Sequence, residues 1–570
     1  MLRAKAIVNG LIIVSLVIFI SITITCQKPP QPVEAAHGMV VSTNRLASEV
    51  GVEILKKGGN AVDAAVATAF ALAVTHPSAG NIGGGGFMLI RWADTGKAVL
   101  VDYREEAPGR AERDMYLDEK GEIIPDVSTL GYLAIGVPGT PAGLTLALER
   151  YGTMSLPEVL APAIKLAEEG FEVTPSLSRS LEGYAKIFSR FPSTSAVFLK
   201  GGKPYQPGEV FRQPDLARTL KLIAKEGPSV FYRGEIARLI VKEMERGEGL
   251  ITLEDLASYK AYIREPVRGS YRGYEILSAP PPSSGGVVLL QLLNILEEFD
   301  LSSMGHNTTE SISLMVETEK LVYADRAEYL GDPRFVQIPV QGLISKRYAE
   351  DRRKKINLSH AIPSDQIKHG IPTLYESEET THFSVVDSEG NAVANTYTLN
   401  GGYGSKVVVE GAGFLLNNEM DDFSSKPGFP NMYGLIGGEA NAIAPHKRML
   451  SSMTPTILLK DGKLFMVIGT PGGSTIMTTV LQVILNVIQH GMNIQQAVAA
   501  PRVHHQWTPD FLYYEKDTLS GEILKALLQR GYQLKERGSI GDAHGILVDP
   551  KTGKLWGGAD HRMDGVAVGY

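Results

Sequence analysis

From Lys355 to Glu379 the chain carries neither a helical nor an extended apolar period, and prolines stand at 363 and 372. Twenty-five unpatterned residues exceed an ordinary connection between elements; such a stretch inside a patterned chain is a functional or mobile loop. The two sides of this gap differ in kind. Before it, segments read as helices closed by glycine. Residues 45–57 end at Gly58-Gly59, residues 216–226 at Gly227 and residues 311–330 at Gly331. Another helix starts at Ser155, with Glu158 placed to complete a capping box, and ends at Gly170. Strands 87–92 and 97–103 flank the turn Asp94-Thr95-Gly96. After the gap, strands 380–386 and 391–399 alternate around Ser388-Glu389-Gly390. A three-residue loop with glycine in the left-handed position is a common hairpin connection. A second hairpin turns at Asp461-Gly462, between 456–460 and 463–469, and a helix over 475–490 closes at Gly491. Helix-rich first part, two-sheet centre and flanking helices predict a layered α/β sandwich.

Composition narrows the chemistry. Glycine supplies 60 of 570 residues, well above the average of about 7%, which fits many tight turns rather than a helical bundle. Sixty-three acids against 56 bases leave a net charge of −7, so no basic field is offered to nucleic acid. A single cysteine excludes an intrachain disulfide and cysteine-based metal sites.

That residue, Cys26, follows an N-terminal pattern typical of export. Arg3 and Lys5 precede an apolar run over 11–24, and the polar, proline-rich tether from Gln27 to Pro32 follows. Cleavage near Ala35-Ala36 is one reading, and lipoprotein processing at Cys26 is another. Thr23-Ile24-Thr25 is less small than a lipoprotein site prefers. Extending the run back to Ala6 gives an uncleaved anchor as a third. Residues 1–36 are therefore expected to be a signal plus tether. The protein is expected to be exported: periplasmic, secreted or lipid-anchored, with membrane attachment through Cys26 or the apolar segment.

The first hairpin has a geometric consequence. If Asp387 pairs with Asn391, Thr380 falls opposite Thr398, with Cβ atoms about 5 Å apart. Two hydroxyls on strands are ordinary β composition. Thr380, however, opens its strand directly after the long polar stretch, so cleavage before it would dismantle no apolar element. A threonine with a free α-amino group carries its own base, because that amine titrates near 7.7–8.0 and can take the hydroxyl proton. The same hydroxyl can first attack the Glu379 carbonyl, and hydrolysis of the resulting ester creates the amine.

The run TTHFSVVDSEGNAVANTYTLN from Thr380, with LLNNEMDDFS from Leu415, LSSMTPT from Leu450 and GTPGGS from Gly469, closely resembles the γ-glutamyltranspeptidases, self-processing N-terminal nucleophile hydrolases. DYREEAP from Asp102 and NIGGGGFM from Asn81 extend the resemblance over nearly everything after residue 37. It implies a four-layer αββα sandwich built from two fragments of one precursor, a large subunit of residues 37–379 and a small catalytic subunit of 380–570. By this resemblance Thr380 is the nucleophile and its amine the base, Thr398 the hydroxyl that orients it, and Gly472 and Gly473 the oxyanion hole. Glycines just before a helix put unobstructed N–H groups at its positive end, which agrees. Arg104 resembles the family's carboxylate-binding arginine, whose planar fork suits that anion. Ser451 and Ser452 resemble its hydroxyl partners, and Asn400, Glu419 and Asp422 the acceptors for a substrate ammonium. Position 419 is often glutamine in relatives; glutamate still accepts from an ammonium. Residues 426–440, rich in glycine and proline, resemble a lid loop with Tyr433 as the gating aromatic.

The implied activity is cleavage of γ-glutamyl amides such as glutathione through a γ-glutamyl–Thr380 ester, which water or an amino acid or short peptide then resolves. No metal and no organic cofactor are required. The alternatives are a related acylase, acting on cephalosporins or depolymerising poly-γ-glutamate, and an unprocessed, inactive binding protein. Other signals read as structural. The glycines at 83–86 precede a strand, not the helix a phosphate loop needs. His504 and His505 are adjacent and point apart. Ser474 lacks the following glycine of a nucleophile elbow. Glu105-Glu106 reads as a solvated face or local structure.

Overall fold

Strand Ala392–Thr398 runs through the middle of the molecule, and its neighbours explain the architecture. It pairs antiparallel with Ser384–Val386 on one side and with Gly85–Arg91 on the other. The computed structural model describes residues 30–372 and 383–570. The expectations on Glu379, Thr380, Cys26 and the N-terminal apolar run therefore lie outside the described residues. Residues 32–570 form one unit.

Two seven-stranded sheets, antiparallel throughout, face each other. One runs in the order Val566–Gly569, Met39–Ser42, Ser384–Val386, Ala392–Thr398, Gly85–Arg91, Ala98–Tyr103, Tyr262–Arg264. The other runs Val33–Ala35, Leu555–Ala559, His544–Val548, Lys463–Gly469, Thr456–Lys460, Tyr274–Ser278, Val267–Tyr271. Side chains alternate across each strand, and the alternation assigns them to layers. Val386, Ala392, Ala394 and Leu89 meet Ile457, Val467 and Ile546 of the opposite sheet in the central core. Val385, Val393, Met88 and Ile90 point the other way, onto the helices Arg45–Lys56 and Ala61–Thr75. Ile276, Leu458, Met466 and Ile468 pack outward against Gly285–Leu296, Thr309–Tyr329 and Ile476–Ile488. The result is the expected helix–sheet–sheet–helix sandwich.

Local signals translate directly. Ser155 and Glu158 form the capping box of Leu156–Glu169. The 83–86 glycines serve close packing, as read: a Cβ on Gly83 would lie 2.1 Å from the Leu415 carbonyl oxygen, and one on Gly84 2.0 Å from that of Thr398. The hairpin register is also as expected, with Ser384 opposite Ala394 and Val386 opposite Ala392. The Asn395 N–H donates to the Phe383 carbonyl, carrying the same pairing one step further towards Thr380.

The unpatterned stretch is a correction. Its first part is fastened along its length rather than free. Lys320 Nζ donates to the Ile362 carbonyl, Trp507 Nε1 to that of Ser364, and Arg352 Nη1 to that of Lys368. The Ser364 N–H donates to Asp510, and the Gly370 N–H to Asp325. Aperiodic sequence shows only that a segment makes no regular element; its tertiary partners come from both sides of the gap.

Candidate active site

The strand ending at Thr398, the turn Glu419–Asp422, the 450s strand entry and the glycine turn before Ile476–Ile488 converge on one cleft of about 450 Å³. Its walls include Arg104, Thr398, Asn400, Glu419, Asp422, Tyr433, Ser451, Ser452, Gly472 and Gly473. Every expected site residue within the described chain is thus in one place, although 369 positions separate Arg104 from Gly473.

Arg104 follows strand Ala98–Tyr103 and is buried. Its fork is already engaged. Nε donates to the Met449 carbonyl at 3.2 Å, Nη2 to Asp422 Oδ2 at 2.6 Å and Nη1 to Glu105 Oε2 at 3.4 Å. Glu419 Oε1 lies 2.8 Å from Nη1, at an angle too poor for a hydrogen bond, and Glu419 Oε2 accepts from no described group. Two buried carboxylates, Glu105 and Glu419, and the partly buried Asp422 crowd the Arg104 guanidinium, with Arg326 further off acting on Asp422. Burial pushes Glu105 up to about 7, against the pull of Arg104. Burial, with Glu105 and Asp422 as like charges nearby, holds Glu419 well above the usual carboxylate range, and Asp422 is raised as well. Burial alone would lower Arg104; Glu419 and Glu105 keep it above its ordinary value. Such a cluster keeps a proton until another cation replaces it.

Thr398 Oγ1 accepts the Asn400 N–H at 2.9 Å. Asn400 takes the left-handed conformation, φ 71°, which asparagine tolerates, and its Nδ2 donates to the Asn418 carbonyl. Tyr433 donates its hydroxyl to the Asn400 carbonyl at 2.7 Å and lays its ring against Gly473. The loop carrying it is tied down by Met432 N–H to Asp421 and by Gln506 Nε2 to the Tyr433 carbonyl. It therefore closes one side of the cleft.

Gly472 and Gly473 both have positive φ, 142° and 58°. No described group accepts from either N–H, and both precede the helix Ile476–Ile488. Unpartnered N–H groups at the positive end of a helix stabilise an oxyanion placed there.

Several functional neighbours were not legible. Glu105 and Glu106 are buried, against the solvated-face reading. Glu105 faces Arg104, and Glu106 pairs with Arg448 and Arg334. Adjacent acids carry no sign of burial in themselves. Helix Thr309–Tyr329 is buried over 18 of its 21 residues, yet contains Glu317, Glu319, Lys320, Asp325 and Arg326. Arg326 donates to Ser284 and Ser452, and Tyr323 to the Ser474 carbonyl at 2.6 Å. Mixed polarity all around a helix was the available signal: buried polar groups need partners. His504 bonds Thr478 and Gln506, whereas His505 bonds Asp510.

Comparison with known proteins agrees with the fold. The family model described as gamma-glutamyltranspeptidase matches residues 47–570. The glutathione hydrolase proenzyme of Escherichia coli strain K12 is 51% identical over 541 residues, 95% of this chain and 93% of that one. Among solved structures, the cephalosporin acylase from Bacillus halodurans superposes with a TM-score of 0.85 at 32% identity, covering 95% of this chain and 97% of its own. Helicobacter pylori gamma-glutamyltranspeptidase gives a TM-score of 0.58 at 47% identity, covering 59% of this chain and 97% of that chain. On the family match, on the identity across nearly the whole chain and on the shared sandwich, the protein belongs to the γ-glutamyltranspeptidase family.

Proposed function

We propose that the chain is an autoprocessed γ-glutamyl hydrolase and transferase acting on γ-glutamyl amides such as glutathione. One observation carries this reading: an anion-rich head-group pocket at Arg104, Glu419 and Asp422 shares a cleft with two free glycine N–H groups and Thr398. The pocket fits a glutamyl head group. Glu419 and Asp422 take its ammonium, which replaces the cluster's retained proton. Arg104, relieved of part of its carboxylate load, turns to the α-carboxylate beside Ser451 and Ser452.

In the mature enzyme Thr380 Oγ attacks the γ-carbonyl, and its own amine takes the proton. The carbonyl oxygen becomes an oxyanion held by the Gly472 and Gly473 N–H groups. Collapse expels the amine of the leaving group, which takes that proton, and leaves a γ-glutamyl–Thr380 ester. Water or an incoming amine then attacks the ester and regenerates the threonine. Thr398 orients the nucleophile. Maturation uses the same hydroxyl on the Glu379–Thr380 peptide and yields subunits 37–379 and 380–570, which stay together as a heterodimer. The basic and apolar N-terminus supports export, with anchoring through Cys26 or the apolar run as the membrane-bound form. Among the described residues no helix is long and apolar enough to cross a membrane.

A denaturing gel with N-terminal sequencing tests the reading. Two bands are expected, the lighter starting at Thr380, together with release of 4-nitroaniline from γ-glutamyl-p-nitroanilide. Thr380→Ala should give one inactive chain. A single wild-type band, or a cleaved and active Thr380→Ala variant, refutes it. Turnover of a glutaryl amide in preference to the γ-glutamyl one would place the chain with the acylases instead.

A further inference from the structure

Among the described residues, the charged side chains lining the catalytic cleft are Arg104, Glu419, Asp422 and Arg537. The first three form the cluster described above. Arg537 is different: it ends strand Leu534–Arg537, is partly exposed, and makes no ion pair or side-chain hydrogen bond among the described residues. Its guanidinium lies 6.0 Å from the centre of the Tyr513 ring, within the range in which an aromatic face steadies a cation. Ser539 lines the same wall.

The chain from Arg537 leads straight to the reacting centre. Gly541 packs against the glycine turn so closely that a Cβ on Gly472 would lie 3.3 Å from its Cα. Four residues of chain span at most about 14 Å, and the two residues beyond a scissile γ-glutamyl bond in glutathione span about 7 Å. An arginine side chain covers much of the difference. Past His76, Ser78 and Met563 the cleft also adjoins a groove that carries Glu172 and Asp564, with Asp560 there neutralised by Arg502 and Arg562. Arg45 in that groove faces Glu49 at 3.8 Å. That groove's arginine already faces an acid, whereas the Arg537 wall offers a carboxylate a cation with no acid partner among the described residues.

We propose that Arg537, assisted by Ser539, is the subsite for the carboxylate on the far side of the scissile bond. In hydrolysis this is the carboxylate of the departing amino acid or peptide, and in transfer that of the incoming acceptor. The inference rests on the γ-glutamyl reading of the same cleft. It assigns acceptor choice to a residue outside the head-group pocket. Charge-assisted contacts of this kind are worth at least about tenfold in binding.

The test compares Arg537→Gln and Arg537→Lys with the wild type. Arg537→Gln should raise KM at least about tenfold for glutathione and for glycylglycine as acceptor. It should leave hydrolysis of γ-glutamyl-p-nitroanilide, whose leaving group has no carboxylate, within about twofold, and Arg537→Lys should recover part of the loss. Glycylglycinamide should be a poor acceptor for the wild type and indifferent to the substitution. Equal losses on glutathione and on the anilide, or no loss on either, overturn the subsite. If the wild type releases nothing from either donor, the parent reading fails. Calorimetry of glycylglycine against glycylglycinamide, with wild type and Arg537→Gln, then still decides the subsite: equal binding of the two dipeptides, or binding that Arg537→Gln leaves unchanged, overturns it.

Discussion

Gly473→Ala isolates the oxyanion turn. A Cβ at 473 would lie 2.5 Å from Cδ1 and 2.6 Å from Cε1 of Tyr433, and the residue has φ 58°. The left-handed conformation costs an alanine about 1–2 kcal/mol. Against a total stability of about 5–15 kcal/mol, the variant stays folded. The overlap is more demanding, because all three of the nearest atoms belong to the Tyr433 ring. Either the ring leaves its place, breaking the 2.7 Å bond from its hydroxyl to the Asn400 carbonyl, or the turn shifts and its N–H swings away from the reacting oxygen. Losing one such donor costs about 10²–10³ in rate, or about 2.7–4 kcal/mol of transition-state stabilisation. The expectation is a fall in kcat of that size on γ-glutamyl-p-nitroanilide, with a normal far-ultraviolet dichroism spectrum. Adding Tyr433→Ala removes the obstructing ring and should restore part of the rate, leaving the residual loss due to φ. If Gly473→Ala keeps kcat within about threefold of the wild type, the turn does not hold the oxyanion and the reasoning fails.

The carboxylate cluster predicts a pH dependence. Burial pushes Glu105 up to about 7 and Glu419 higher than usual, so below pH 7 the cluster takes up protons that a substrate ammonium must displace. KM for γ-glutamyl-p-nitroanilide should therefore rise as pH falls through about 7. Glu105→Gln removes one like charge, the remaining carboxylates ionise at lower pH, and the rise in KM should begin lower. An unmoved or upward-moved inflection argues against the coupling. Tyr323→Phe leaves the buried Ser474 carbonyl without its 2.6 Å donor, which costs about 1–3 kcal/mol. Urea denaturation should show that loss, and kcat should fall more than KM changes, because the turn bearing the glycine N–H groups is loosened. An unchanged kcat would mean that the turn holds itself.

Short-range physics is legible in a sequence, and here it went far. The Ser388-Glu389-Gly390 turn set the register of the strands it joins, and period-two alternation placed Val385 and Val386 on opposite layers. The glycine pair before Ile476–Ile488 and the acids of the turn Glu419–Asp422 stand in contiguous motifs, so the resemblance could name them as candidates. Tertiary structure alone decided what each charge faces. It buried Glu105 beside Arg104, aimed Arg326 at Ser452, fastened the aperiodic stretch before residue 373 and left Arg537 without an acid partner among the described residues. Periodicity and turn chemistry depend on neighbours within a few residues, so the chain itself records them. Electrostatic pairing and desolvation depend on groups hundreds of positions away, and only folding brings those within reach.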